Sequence, residues 1–393
     1  MLKPAAAMGR IGTESAFEVL ARAKALEADG RSIINLGIGQ PDFQTPEHIV
    51  EAAVKALRDG HHGYTPANGI PELRAAVAAD IERRLGVEID PDLVLAVPGG
   101  KVTIFFAALI FGEPGAEILY PNPGFPIYES IIAFSGATPV PIPLLEENGF
   151  AFSAEDVLAR ITPATRLIIL NSPANPTGGV TPRGEVDKLA AGLVRHPQVA
   201  VLSDEIYSQM LYDGQAHASL LHYPEIRDQV ILLDGWSKTY AMTGWRLGYA
   251  VWPRRLIEGA TRLAINCHSC VNAPTQWAGI AALTGPQAPV TEMVAAFAAR
   301  RRVVIEELNA IPGISCIAPG GAFYAFPNIT GTGIAAKELE VRLLEEAGVA
   351  TVAGTSFGRF GEGYLRLSYA NSVDNIRAAM DRIRTWLAER AAA

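Results

Sequence analysis

Five short apolar runs in this 393-residue chain each give way at once to residues able to do chemistry. Leu93–Val97 leads to Pro98-Gly99-Gly100-Lys101, and Glu117–Tyr120 to Pro121-Asn122-Pro123-Gly124-Phe125. Arg166–Leu170 leads to Asn171-Ser172-Pro173-Ala174-Asn175-Pro176-Thr177-Gly178, Val199–Leu202 to Ser203-Asp204-Glu205-Ile206-Tyr207, and Val230–Leu233 to Asp234-Gly235-Trp236-Ser237-Lys238. A lone lysine at a strand end is usually a solvated loop residue. One held directly behind a buried strand has a depressed pKa and can form a Schiff base. Asp204 would put a carboxylate on the floor of a site, or would cap a helix. The pair Gly99-Gly100, opening a helix, can offer bare N–H groups and the helix dipole to an anion, or can be a plain tight turn. The Walker spacing is missing and no G-x-G-x-x-G follows a strand, so neither a nucleoside triphosphate nor NAD is supported.

The elements that must position these residues are legible between them. Short β-branched runs alternating with helical patterns describe a largely parallel sheet buried on both faces. In such α/β sheets ligands bind beyond the carboxyl ends of the strands, where all five polar segments fall. Residues 14–28 read as an amphipathic helix stopped by Gly30. Leu283–Val290 is a turn-rich break, followed by a helical pattern over Thr291–Ala310, strands at Gly320–Tyr324 and Tyr364–Ser368, and a last helix over Val373–Arg390. The expected division is a large domain over 46–282 and a smaller α+β domain made of 283–393 with the N-terminal arm, 1–45.

Hydrophobic residues make up 49% of the chain and charged ones 19%, and 33 basic against 41 acidic residues give a net charge of −8. That acidic balance argues against nucleic acid as a partner. The densest basic run, Arg300-Arg301-Arg302, lies in a helical pattern and is expected on a solvated face. Three cysteines give no disulfide framework and fit a reducing compartment. Cys267-His268-Ser269-Cys270 has C-x-x-C spacing but no second ligand pair, so no metal is expected. The opening MLKPAAAMGR lacks the apolar stretch of a signal peptide. The longest apolar run, Ile104–Phe111, is far below the ~18 residues of a membrane span. A cytoplasmic protein with no membrane contact is expected.

Taken together, Asn35-Leu36-Gly37-Ile38-Gly39-Gln40-Pro41-Asp42-Phe43, the Asn175-Pro176-Thr177-Gly178 segment, Ser203–Tyr207, the string Ser237–Tyr249 (SKTYAMTGWRLGY) and Tyr364–Ala370 resemble the class I/II aminotransferases of the aspartate aminotransferase fold. The resemblance covers nearly the whole chain. It implies a pyridoxal-phosphate-dependent transferase of fold type I, with a large mixed, mostly parallel sheet sandwiched by helices. It implies that Lys238 holds the cofactor covalently and moves the proton from Cα, that Asp204 keeps the pyridine nitrogen protonated, and that Tyr207 and Asn175 bond the ring oxygen. Phe125 takes the place of the aromatic that stacks on the ring. Gly99, Gly100, Lys101, Ser237 and Arg246 fall at the phosphate. Arg366 resembles the arginine that grips the substrate α-carboxylate, assisted by Gly39 and Asn175. Tyr64 resembles a tyrosine that crosses to a neighbour's phosphate, which implies a homodimer with shared active sites. Phe323 lines the substrate pocket or belongs to the core. One departure stands out: Gly235 replaces a serine that often binds the phosphate, and Trp236 beside it has no evident task.

These residues serve more than one reaction. Transamination between an L-amino acid, aspartate-type favoured, and a 2-oxo acid such as 2-oxoglutarate is the leading expectation. A C–S β-lyase or other elimination uses the same lysine, aspartate and arginine. An aromatic or neutral donor is the further alternative, with Ile11–Phe17 of the arm supplying contacts. A dicarboxylate needs a second cation, for which Arg10 and Lys101 are the candidates. A ligand-sensing regulator on the same fold would need an appended DNA-binding module, and the resemblance leaves no room for one.

Overall fold

The computed structural model describes residues 2–391. Its centre is a seven-stranded sheet built from Val94–Val97 (β1), Glu117–Asn122 (β2), Thr138–Pro143 (β3), Thr165–Asn171 (β4), Ala200–Asp204 (β5), Val230–Gly235 (β6) and Gly248–Val251 (β7). The spatial order is β1-β7-β6-β5-β4-β2-β3. Only β7 runs against its neighbours, pairing antiparallel with both β1 and β6. The other six strands therefore end at one edge, and β7 begins there. This reversal brings Arg246, just before β7, to the edge where the forward strands deliver their polar segments.

Alternate residues of each strand enter different cores, the period-2 consequence of pleating. Ile168, Leu170, Val201 and Leu232 pack on one face of the sheet, and Leu167, Ile169, Leu202, Ile231 and Leu233 on the other. Burial on both sides is why these strands read as unbroken apolar runs. Two strands escaped the sequence reading. β3 carries Pro139, Pro141 and Pro143 and lies at the sheet edge, where a residue lacking an N–H breaks no ladder. β7 is four residues long and hidden at the end of the motif string.

A second core gathers around a three-stranded antiparallel sheet of Tyr324–Ala325, Val352–Ala353 and Leu365–Ser368. Ile34–Asn35 pairs in parallel with Val349–Ala350, tying an early segment to this late part of the chain. The helix Ala288–Asn309 supplies Phe297 to this core, and Val373–Ala391 supplies Trp386. Arg301 corrects the expectation of a solvated basic face. It is only 8% exposed, donates from Nε to Pro319 O at 2.6 Å, and pairs with Asp213 at 2.7 Å. Helical spacing points it inward between two loops, whereas Arg300 turns toward Asp42. Among the described residues no helix is long and apolar enough to cross a membrane.

Candidate active site

The six forward strand ends and the three-stranded sheet enclose one cluster of ionisable side chains. Lys238 sits in a single helical turn, Trp236–Thr239, directly after β6. Its Nζ donates to Gly39 O at 2.7 Å and lies 5.9 Å from the Tyr207 ring centre and 5.8 Å from that of Phe323. Burial, reinforced by the Arg366 charge, pushes the amine pKa down to about 8. Gly39 must be glycine, because a Cβ there would lie 2.4 Å from the Tyr324 hydroxyl.

Trp236 now has a task. It is buried, donates from Nε1 to Gly279 O at 3.0 Å, and meets Tyr249 edge-on, anchoring the turn that presents the lysine. Gly235 is explained by β7: a Cβ would stand 2.8 Å from Gly248 Cα, so the paired strand leaves no space for a serine. Ser237 is buried between Trp236 and Lys238.

Asp204 closes β5 and is 5% exposed. One carboxylate oxygen accepts from Tyr128 Oη at 2.7 Å and the other from Ile206 N at 3.3 Å, so it caps its own turn as well. Burial raises its pKa to about 6, against the lowering effect of the Tyr128 bond. Asn171 ties two strand ends together: its Nδ2 donates to Asp204 O at 3.0 Å while its Oδ1 accepts from Asn175 N at 2.9 Å. Asn175 Oδ1 in turn accepts from Arg366 Nη1 at 3.0 Å.

Arg366, on the middle strand of the small sheet, is 3% exposed. Its guanidinium also donates to Gly37 O and lies 4.7 Å from the ring centres of both Tyr324 and Phe357, while Nε has no partner. Tyr207 and Tyr324 share a hydrogen bond of 2.8 Å between hydroxyls. Phe323 is fully buried against Phe297, as a core aromatic is, and its ring centre lies 5.8 Å from Lys238 Nζ.

An anion corner lies at the end of β1. Gly99 has φ +91°, and a Cβ there would fall 2.0 Å from Arg246 Nη2, so the glycine is what lets the guanidinium settle over the turn. Arg246, itself at φ 56°, is held by Thr243 O at 2.8 Å. A Cβ on Gly248 would come within 2.5 Å of Gly100 N, so β7 also presses closely on this loop. The helix Lys101–Phe111 starts here; Val102 N and Thr103 N are already given to Gly99 O at 3.1 Å and Gly100 O at 2.9 Å, so the open N–H groups of the turn are those of Gly100 and Lys101. Lys101 Nζ is bound to Glu14 and lies 5.3 Å from the Phe125 ring centre. Phe125 meets Tyr128 edge-on.

Of the residues the resemblance places at the cofactor or substrate, Tyr64 alone stands apart, 93% exposed on the loop before the helix Pro71–Leu85. Tyr128, Tyr324, Asn171 and Glu14 were missed. Among the described residues no group of three or more His, Cys, Asp or Glu side chains could hold a metal.

The open groups fit a phosphorylated pyridine aldehyde. The glycine turn with Arg246 suits a phosphate, Asp204 has no basic partner and suits a ring N–H, and Lys238 has only a carbonyl for company. The unpaired Arg366 Nε leaves a donor for a carboxylate.

Comparisons with known proteins agree. A family model for aminotransferase class I and II matches residues 31–383. The aspartate aminotransferase of Geobacillus stearothermophilus is 37% identical, covering 99% of this chain and 100% of its own. An aromatic-amino-acid aminotransferase of Thermococcus litoralis is 38% identical over 91% of this chain and 92% of its own. The crystal structure of the aspartate aminotransferase from Rhizobium meliloti superimposes with a TM-score of 0.94 at 35% identity, covering 99% of both chains. The chain belongs to the class I and II aminotransferases, pyridoxal-phosphate-dependent transferases of fold type I.

Proposed function

We propose that the enzyme takes the amino group from an L-amino acid, aspartate-type donors favoured, and passes it to a 2-oxo acid such as 2-oxoglutarate in two half-reactions. The observation that carries this reading is the pairing of Lys238 with Arg366. Burial and the nearby Arg366 charge lower the pKa of the Lys238 amine, and the buried Arg366 guanidinium keeps an unused nitrogen, so an amine and a cation stand ready for the two ends of an α-amino acid. Pyridoxal phosphate, when bound, supplies the electron sink that lets the Cα–H bond break.

The chain's own residues do the rest. Lys238, neutral in part near pH 8, is the group to hold the cofactor and then to move the proton at Cα. Asp204 holds a proton on the ring nitrogen, since a cation beside a buried carboxylate is what stabilises its charge. Tyr207 and the free amide of Asn175 are assigned to the ring oxygen, and Phe125 to the ring face. Gly99, Gly100, Ser237, Arg246 and the backbone N–H of Lys101 at the helix start are assigned to the phosphate. Arg366 takes the α-carboxylate as a planar fork, with Gly39, Asn175 and Phe323 beside it. We assign Tyr64 to the phosphate of a second copy in a homodimer, which its exposure in the single chain supports. The same reading takes 46–282 as the cofactor-binding domain, and 1–45 with 283–393 as the domain that covers it. It puts the enzyme in the cytoplasm, in amino-acid biosynthesis.

The aspartate preference is supported by relatives named for that activity. A neutral or aromatic donor is the second reading, supported by the Lys101–Glu14 pair, which neutralises one candidate for a side-chain carboxylate. A panel of aspartate, aromatic and aliphatic donors with 2-oxoglutarate decides between them. Aspartate should give the highest kcat/KM, and a tenfold preference for neutral donors would reverse the assignment. Release of pyruvate and ammonia in place of amino transfer would indicate elimination. In every case Lys238→Ala should abolish turnover and the visible absorbance of the bound cofactor while leaving the fold intact.

A further inference from the structure

Lys101 was a candidate for holding the distal carboxylate of a dicarboxylate substrate, and so was Arg10. The structure separates them. Arg10 is committed to the helix Ile127–Ser135, donating to Ala133 O at 2.7 Å and Phe134 O at 3.1 Å. Two residues on, Gly12 N donates to Ser130 Oγ at 2.8 Å, so the arm is pinned across this helix. Beneath the arm lies a cavity of about 290 Å³ whose lining includes Gly12, Phe125, Ser130 and Phe357. Phe125 and Phe357 tie it to the site already described, because Lys101 Nζ lies over the first and the Arg366 guanidinium over the second.

The next residues of the arm carry Glu14 to Lys101. Glu14 occupies the N-cap position of the helix Ser15–Ala28, yet its side chain caps nothing there. Its carboxylate, 15% exposed, is spent on the lysine instead. Its charge also reaches Lys238, Arg366 and Tyr324, which puts an anion of the protein itself among the groups that meet the substrate.

We infer that Glu14 is a specificity-determining residue: its carboxylate holds the seat on Lys101 that the side-chain carboxylate of a dicarboxylate substrate needs. This rests on the aminotransferase reading above. A donor with a neutral side chain enters with the Glu14–Lys101 pair intact. An aspartate or 2-oxoglutarate exchanges one carboxylate for another on the same ammonium, and the displaced Glu14 then repels it. Glu14 thereby sets the ratio between the two substrate classes, so that a family member with the lysine in place is held back from full selectivity for dicarboxylates.

The test compares succinate with butyrate, a dicarboxylate and a monocarboxylate of equal length, for binding to the holoenzyme by calorimetry. Glu14→Gln removes the charge and no helix cap, so folding should survive. The expected result is a three- to tenfold rise in succinate affinity relative to butyrate, and a like rise in the kcat/KM ratio of aspartate to an aliphatic donor. In the double variant Glu14→Gln with Lys101→Gln the gain should vanish. Parallel changes for succinate and butyrate, or a gain that persists without Lys101, would overturn the inference. If the wild type transfers no amino group at all, the proposed function fails, and the succinate–butyrate comparison still decides the role of Glu14.

Discussion

Two of the groups of buried charge at the carboxyl edge of the sheet are built on opposite plans. Behind β6, Arg84 is pinned by Asp80 at 2.7 Å and Asp234 at 3.2 Å, with Ser208 and Tyr249 filling in around them. Burial works against its charge, but Tyr249, Asp234 and Asp80 outweigh it and hold the guanidinium more firmly protonated than usual. Asp234 also accepts from Gly235 N at 2.7 Å, which fixes the turn leading to Lys238. In front of β6 the charges are left open. Arg366 has neutral acceptors and an idle nitrogen, Lys238 a single carbonyl, and Asp204 a tyrosine and a backbone N–H. A closed network stabilises the protein. An open one keeps its electrostatic capacity for a ligand, at a cost in stability.

The largest contrast should come from removing one arginine of each kind. Arg84→Met leaves Asp234 buried without its cation and Asp80 with Arg83 alone, and should cost about 3–5 kcal/mol in urea unfolding. Arg366→Met strands two neutral acceptors while relieving a buried guanidinium with an unpartnered nitrogen, and should cost less, about 1–3 kcal/mol. Catalysis should invert the order, with kcat/KM falling by at least about a hundredfold in Arg366→Met and by less than about tenfold per folded molecule in Arg84→Met. Equal stability losses would erase the distinction between the two plans.

The open plan also predicts how Lys238 behaves before any cofactor arrives. Its folded pKa of about 8 lies below the ordinary lysine value of about 10.4, so the neutral, nucleophilic amine appears well under pH 10. The rate at which apoprotein captures pyridoxal phosphate should therefore rise with pH around a midpoint near 8. A midpoint above about 9.5 would mean that burial and Arg366 do not act on this amine. The linkage has the same sign: the unfolded chain holds the proton more tightly, so this residue's burial penalty is relieved as pH climbs from about 8 toward 10.

What the sequence made legible follows the same division. The five apolar runs became strands of one sheet within two residues at either end, because burial on both faces leaves a continuous signal. Lys238, Asp204, Asn175, Tyr207 and Arg246 drew attention because each closes a strand or lies within four residues of one. Tyr128 and Tyr324 were not. Their partners lie 76 and 117 residues away, and a helical tyrosine or one in Gly320–Tyr324 looks like ordinary core. Alternation would have put Phe323 and Tyr324 on opposite faces of the same segment, yet only the first drew notice. Glu14 was invisible as a partner for Lys101, since the arm's path across the helix Ile127–Ser135 depends on Arg10 and Gly12 finding their acceptors. Arg301 was misjudged because three adjacent residues sweep about 200° around a helix, and here the middle one turns toward Pro319 O and Asp213.

The last prediction probes one of the two bonds that favour the ionised form of Asp204. Its pKa is raised to about 6, so in the apoprotein its contribution is fully present below the unfolded value of about 3.9 and is lost as pH rises through 6. The Tyr128 hydroxyl, 2.7 Å away, opposes that loss by stabilising the ionised form. Tyr128→Phe keeps the fully buried ring and removes only the donor. Asp204 should then protonate more readily still, and the variant's stability should fall further between pH 6 and 8. Urea unfolding of the apoproteins should show little difference at pH 5, where both hold a protonated Asp204, and a deficit of about 1.5–3 kcal/mol at pH 8, the usual range for a hydrogen bond to a buried charge. A deficit of the same size at both pH values would mean that Tyr128 supports packing alone. In that case the carboxylate would be kept ionised by Ile206 N and, once bound, by the ring nitrogen itself.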